Sequence, residues 1–271
     1  MIETALKPNF GDKTYWRISS NVLCNYMRED WHLHMILKNQ AIIPRYVIER
    51  IEYMKIDDLK QICIPMTCFC DIPFSKVGTH MTSYGSYGIG FDKEAMMNKY
   101  RVQPIHYMND NSPLMDDFRE TFRLIYNSKN QFERNPEYNP LVNYLLSTIV
   151  YMKPIKGMKK NNAGDMEEYI YQDECEWRFI PSDNFPKELG PIIPPQSQTS
   201  ERARDMFSDV IAKHKECWMK FEWKDVRYLI VPDEVAVRDT IKVIDNLPLE
   251  ESEKRILITK IEISRHFMHD L

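Results

Sequence analysis

Ser83-Tyr84-Gly85-Ser86-Tyr87-Gly88-Ile89-Gly90-Phe91 gathers three of the eight glycines of this 271-residue chain within six positions. Glycines at that density between aromatic residues read as a turn followed by a strand with a close backbone neighbour. Asp92 then offers an N-cap oxygen to a short helix through about Lys99, and Val102 to Tyr107 returns as a strand. Upstream, Ile62 to Cys70 is a short apolar strand candidate in which Pro65 suits an edge or a strand start. Before it, Thr14 to Ile18 reads as a short strand. Ser19, Ser20 and Asn21 cap a helix bearing Val22, Leu23, Tyr26, Met27 and Trp31 at three-and-four spacing.

Downstream the pattern turns helical. Ser112-Pro113 opens one helix with Leu114, Phe118, Phe122 and Ile125 in a stripe, and Asn139-Pro140 opens a second with Leu141, Leu145 and Ile149. Asn127 to Asn139 is polar and reads as exposed, and Lys156 to Asp165 reads as a flexible loop. Tyr169 to Ile180 is one long strand or a strand pair, and the prolines between Pro181 and Pro195 predict an extended connection. A helix from Ser200 to about Glu216 turns Met206, Phe207, Val210 and Ile211 inward. Phe221 to Val231 is strand, Asp233 caps a helix, and Ile256 to Ile263 is a closing strand. Helices and strands mix without strict βαβ alternation, so the fold class is α+β: mixed, largely antiparallel sheet with flanking helices. The chain reads as a single domain, 1–271, with a helical insertion at about 112–152.

Composition bounds the function. Thirty-six basic against forty acidic residues give a formal charge of −4, so no global basic field advertises nucleic acid. Neither GxGxxG nor GxxxxGK[ST] occurs, against a dinucleotide or P-loop fingerprint. No run approaches the roughly 18–20 apolar residues of a spanning helix, and the first ten residues lack a signal-peptide core. The expectation is a soluble, cytoplasmic protein whose six cysteines are thiols.

Four groups could carry chemistry. Glu174-Cys175-Glu176-Trp177-Arg178, on a strand, puts Glu174, Glu176 and Arg178 on one face, and two like charges there need compensating cations or a polar site. The alternative is a solvated edge with Arg178 as counter-ion. Cys68-Phe69-Cys70-Asp71, with His80 ten residues after Cys70, holds metal-ligand types at a spacing that does not suit zinc, so no metal is expected and buried thiols are the plain reading. Arg17, in Thr14-Tyr15-Trp16-Arg17, suits a phosphate or carboxylate, or a surface ion pair. Tyr84, Tyr87 and Phe91 could stack on a planar ring or line a core turn. His32 and His34 face different sides of a helix, and His106 reads as a core histidine.

These motifs together resemble the AbiGi-type abortive-infection (phage-resistance) family. Cys68-Phe69-Cys70-Asp71-Ile72-Pro73-Phe74-Ser75 is similar to its CFCDIPLS signature. His80 with Tyr84 to Phe91, Lys93 and Glu94 is similar to its H…YGxYGIGFxKEW segment, with Ala95 in place of the tryptophan. Tyr171 to Pro181 is similar to YDEREWRYVP, and Phe221 to Glu234 to a late DIKYIIV…E strand. The resemblance spans roughly residues 14 to 263. It implies defence against phage within a toxin–antitoxin-like locus, with protein partners from that locus.

A fold-level analogy, by motif order alone, runs to ADP-ribosyltransferases. It implies NAD as cofactor, with Arg17, His80, Tyr84, Tyr87 and Arg178 contacting it. Glu176 would stabilise the oxocarbenium ion as nicotinamide leaves, and Glu174 would orient a protein or nucleic-acid acceptor. Lys153, Lys156, Lys159 and Lys160 could touch a phosphate backbone. The alternative is a non-enzymatic antitoxin, in which Glu174, Glu176 and Arg178 form a structural ion cluster.

Overall fold

The computed structural model describes residues 19–57, 59–127, 136–160, 164–181 and 200–269. The readings of Thr14 to Ile18, of Arg17, and of most of Asn127–Asn139 and Pro181–Pro195 lie outside the described residues. In chain order the strands are β1 (Val22–Met27), β2 (Ala41–Ile42), β3 (Arg45–Arg50), β4 (Gln61–Cys70), β5 (Tyr87–Asp92), β6 (Gln103–Pro104), β7 (His106–Met108), β8 (Met152–Pro154), β9 (Lys156–Lys160), β10 (Met166–Ile170), β11 (Glu176–Phe179), β12 (Met219–Lys220), β13 (Val226–Val231) and β14 (Ile261–Ile263). The helices are α1 (Asp30–Asn39), α2 (Gly78–Tyr84), α3 (Lys93–Asn98), α4 (Pro113–Asn127), α5 (Asn139–Val150), α6 (Glu201–Ile211), α7 (Glu234–Asp245), α8 (Glu251–Ile258) and α9 (Ser264–His269). An eight-stranded sheet runs β14-β13-β5-β1-β4-β11-β6, with β3 on the first half of β4. All of its pairs are antiparallel except β13 with β14, so the α+β reading with a largely antiparallel sheet is correct.

Alternation along the strands divides the molecule. Leu23, Phe69, Ile89 and Phe91 enter one core with Leu33 and Leu37 of α1, Ala236 and Ile244 of α7, and Leu257 of α8. On the opposite face Cys24, Tyr26, Cys70 and Ile230 pack with Val77 and Met81 at α2. Helices α4 and α5 build a separate core: Met115 and Phe122 of α4 and Leu145 and Ile149 of α5 meet Ile62 and Ile64 of β4.

The glycine-rich turn and strand form as read. A Cβ on Gly90 would lie 2.8 Å from Val22 Cγ1, so β5 can pair with β1 here only because the side chain is missing. Gly85 has φ +117°, and a Cβ there would meet the Met27 carbonyl oxygen at 2.1 Å. Pro65 lies within β4, at a position where β3 is the pairing neighbour and β11 has not yet begun.

Several elements differ from the sequence reading. Val22–Met27 is a strand, not a helix: it is buried on both faces between β5 and β4, and a two-sided apolar run mimics helical spacing. Helix α1 starts only at Asp30. Lys156–Lys160 is not loop but the first strand of a hairpin with β10, with Lys156 held by Glu168 and Lys159 by Glu174. Ile256–Ile258 ends α8, which is fixed by the Glu250/Glu253 capping box, and only Ile261–Ile263 is strand. In α4 the buried positions are Met115, Arg119 and Phe122, while Leu114, like Leu141 and Met206, is exposed. His106 is exposed rather than a core residue.

The caps at Asp92, Ser112 and Asp233 form as read; Ser200 caps α6, which ends at Ile211 rather than near Glu216. Asp233 Oδ1 accepts from the Val235 and Ala236 amides, both at 2.9 Å. Asp233→Ala should therefore cost about 1 kcal/mol. The check is a lower urea midpoint with an unchanged slope.

Candidate functional site

Cys175 adopts a left-handed conformation, φ 42°, that closes the turn Tyr171–Glu174 just before β11. Glu174 therefore does not share a strand face with Glu176 and Arg178, as a continuous strand would require. The turn instead swings it back over the sheet, and the two carboxylates meet at one cation. Lys153 Nζ, carried by β8, donates to Glu174 Oε2 at 3.0 Å and to Glu176 Oε2 at 2.6 Å.

Arg178, two residues along β11, is fully buried. Its Nε donates to Glu176 Oε1 at 2.7 Å and its Nη1 to the Val150 carbonyl at 2.5 Å. Its Nη2 lies 3.1 Å from Glu49 Oε1 of β3, an ion pair without hydrogen-bond alignment. The Glu176 amide donates to the Tyr107 hydroxyl at 2.8 Å. From α2, the Tyr84 hydroxyl donates to Glu174 Oε1. Lys159 Nζ of β9 donates to the same carboxylate oxygen at 2.9 Å and to the Tyr84 oxygen at 3.0 Å. Lys159 also sits over the Tyr169 ring, 3.9 Å from its centroid. His80, one turn before Tyr84, stacks on it at 4.4 Å between ring centroids.

The cluster thus sets Glu49, Glu174 and Glu176 against Lys153, Lys159 and Arg178, three charges against three. Burial alone would push Glu176 up, but Arg178 and Lys153 outweigh it and hold the carboxyl well below its ordinary range. Burial is outweighed in the same way at Glu174, by Lys153, Tyr84 and Lys159. Burial opposes the charge on Lys153, yet Glu176, Glu49 and Glu174 keep it firmly protonated. At His80 burial prevails: it pushes the imidazole down to about 4, against the pull of Glu174 and Glu176. Both glutamates are thus held in the ionised form, each with both oxygens bonded.

Of the residues singled out from sequence, the structure brings together Glu174, Glu176, Arg178, Tyr84 and His80. Tyr87 lies on the other face of the sheet, packed with Phe91 against the α1–α7 core. Gly88 and Gly90 face the rings of Tyr26 and Tyr228, not an open groove. A dinucleotide laid over Tyr84–Phe91 needs an open Glu176 and an open ribbon. With both oxygens of Glu176 bonded and its side chain 6% exposed, these residues do not fit NAD in that arrangement. Cys24, Cys63, Cys70 and Cys217 are buried free thiols, Cys68 is half-buried and Cys175 exposed. Among the described residues no group of three or more His, Cys, Asp or Glu is placed to hold a metal.

Sequence reasoning did not assign Lys153 and Lys159 to the glutamates, because Lys160 and Lys187 lie nearer in the chain and nothing local marks which lysines fold onto the pair. Glu49 and Tyr107 carry no local signal at all. Beside the cluster opens a cleft of about 490 Å³, lined by residues that include Glu49, Arg50, Tyr53, Tyr84, Lys153, Lys159, Tyr171 and Glu174. No described helix is long and apolar enough to cross a membrane.

Residues 40–232 match the family model "Putative abortive phage resistance protein AbiGi, antitoxin". The abortive phage resistance protein AbiGi of Lactococcus lactis subsp. cremoris is 30% identical over 249 residues, covering 85% of this chain and 99% of the relative. No solved structure matches the chain. The family model and the relative each cover most of the chain, and the chain belongs to the AbiGi family of abortive phage resistance proteins.

Proposed function

We propose that this chain works in the cytoplasm as the neutralising partner of a toxin in an abortive-infection system. The observation that carries this reading is the closed state of the cluster: every acid that bond cleavage would call on is ionised, buried and bonded to a cation. Such a cluster acts as a clamp that fixes α2, β8 and the β9–β10 hairpin to the sheet. The family description as an antitoxin agrees with it. So does the insertion, where Leu114 on α4 and Tyr144 on α5 are 66% and 65% exposed, beside exposed Tyr126 and Leu141. Exposed apolar and aromatic side chains in such numbers fit a protein partner.

Co-expression with the toxic product of the same locus should restore growth. Leu114→Ser with Tyr144→Ser should abolish rescue while leaving the melting temperature unchanged. Rescue by that double variant at the wild-type level would remove the insertion from the interface.

A second reading, NAD-dependent ADP-ribosyl transfer, is favoured by one observation: Glu174, Tyr84 and His80 stand beside the cleft. It predicts nicotinamide release from NAD⁺ by the wild-type protein, with or without cell extract, and loss of that release in Tyr84→Phe. Absence of release from wild type disposes of it.

A further inference from the structure

The cleft beside the ion cluster opens on the edge of a strand. Successive side chains of a strand point to opposite faces, so a cleft against a sheet face is lined by every second residue. This one is lined by the consecutive residues Ile48, Glu49 and Arg50 of β3 and, on another wall, by the whole of β9. Among the described residues β3 pairs only with β4 and β9 only with β10, so each has an open edge. Three observations fix which backbone groups of β3 point outward. The Tyr46 amide donates to Ser208 Oγ of α6 at 3.1 Å, away from β4. Tyr46 stands opposite Pro65, which has no N–H to give. The Ile51 amide, one residue past Arg50, instead turns to the β4 side and donates to the Lys60 carbonyl at 2.8 Å. The amides and carbonyls of Ile48 and Arg50 therefore share the outward edge with Tyr46. Helix α6 covers that edge at Tyr46, but at Ile48 and Arg50 no described group bonds to it.

We infer that the cleft takes an extended peptide segment of a partner protein, which adds to β3 as a further strand along Ile48 and Arg50. A strand edge offers donors and acceptors at the spacing of a strand, so the group that satisfies it is another extended backbone. The volume, about 490 Å³, lies in the range of ligand sites and suits a short segment of chain. The edge stands inside a cleft with β9 on another wall, so a loose segment enters where the sheet of a second folded copy does not fit. Arg50 is exposed and makes no ion pair among the described residues, so the peptide residue opposite it is acidic. Glu52 and Asp110 on the same walls disfavour a run of acids. This site is separate from the apolar surface proposed for the toxin and does not rest on that reading.

The experiment selects binders to the full chain from a displayed library of random heptapeptides and measures the enriched sequences, as synthetic peptides, by calorimetry and amide hydrogen exchange. The peptides should bind in the micromolar range and share an Asp or Glu at one position. Bound peptide should slow exchange at the Ile48 and Arg50 amides by about tenfold or more, with little change at Glu49, which already bonds within the ladder. N-methylation of every second peptide residue should weaken binding about tenfold, while N-methylation of the residues between them should leave it unchanged. Arg50→Glu, at an exposed position, should leave the melting temperature unchanged and turn the selected acidic residue into a basic one. A selection that yields no binder overturns the proposal. So do binders whose affinity ignores N-methylation, or exchange at Ile48 and Arg50 that the peptide leaves unaltered.

Discussion

Glu176→Ala should lower the stability of this protein by about 3–5 kcal/mol, the usual result of removing one partner from a buried ion pair. For a chain of this length that is a fall in melting temperature on the order of 10 °C. The reason is what remains. Arg178, with no exposed surface, keeps the Val150 carbonyl and Glu49 but loses the carboxylate at 2.7 Å, and Lys153 loses its partner at 2.6 Å. The cluster then holds three cations against two acids in a site where water cannot screen them. Glu176→Gln keeps the volume and should still lose most of this stability. Adding Lys153→Met to Glu176→Gln removes one charge of each sign and should recover a substantial part of the loss, which a double-mutant cycle would read as strong coupling. A loss below about 1 kcal/mol for Glu176→Ala would mean that the cluster is solvated and that the clamp described above does not exist.

Acidification should weaken the fold from about pH 6.5 downward, well before ordinary carboxylates titrate. His80 is pushed down to about 4, chiefly by burial; Glu174 and Glu176 pull the other way and are partly offset by Lys159 and Lys153. The rings of Tyr26 and Tyr84 pack against it. Between 6.5 and about 4 the unfolded chain binds a proton at this position and the folded chain does not, so stability falls as pH falls. At about 1.4 kcal/mol per pH unit the gap amounts to about 3 kcal/mol. Glu174 and Glu176 titrate lower when folded than when unfolded, so the stability they lend is present above about 4.5 and is lost on further acidification. The curve should therefore steepen below about pH 4.5. His80→Phe preserves the ring stack and cannot titrate. His32 and His34 are also pushed down by burial and still titrate in it, so its stability should fall from pH 7 to 5 less steeply than that of the wild type. Parallel curves for the two proteins would place His80 in solvent.

Much of the fold follows from local chemistry. The capping residues at 92, 112 and 233, the glycine turn into β5 and the helices α4 and α5 were legible because each depends on a side chain and its own backbone. The strand β1 was not, because burial on two faces erases the period that separates strand from helix. The hairpin of β9 and β10 was not legible either. Five residues rich in lysine look like loop unless the partners of those lysines are known, and Glu174 lies beyond the end of the hairpin itself.

The candidate site divides along the same line. The chain alone announced a costly pair of acids at 174 and 176, an arginine at 178, and a tyrosine at 84 before the glycine strand; that His80 lies one helical turn from Tyr84 came from the structure. Only the tertiary structure decided that Lys153, Lys159 and Glu49 complete a neutral, buried network, and that Tyr87 faces away from it. The reason is physical. A residue type fixes charge and hydrogen-bonding capacity, whereas burial and pairing belong to groups brought together across a hundred positions, and it is burial that turns a pair of acids into a clamp.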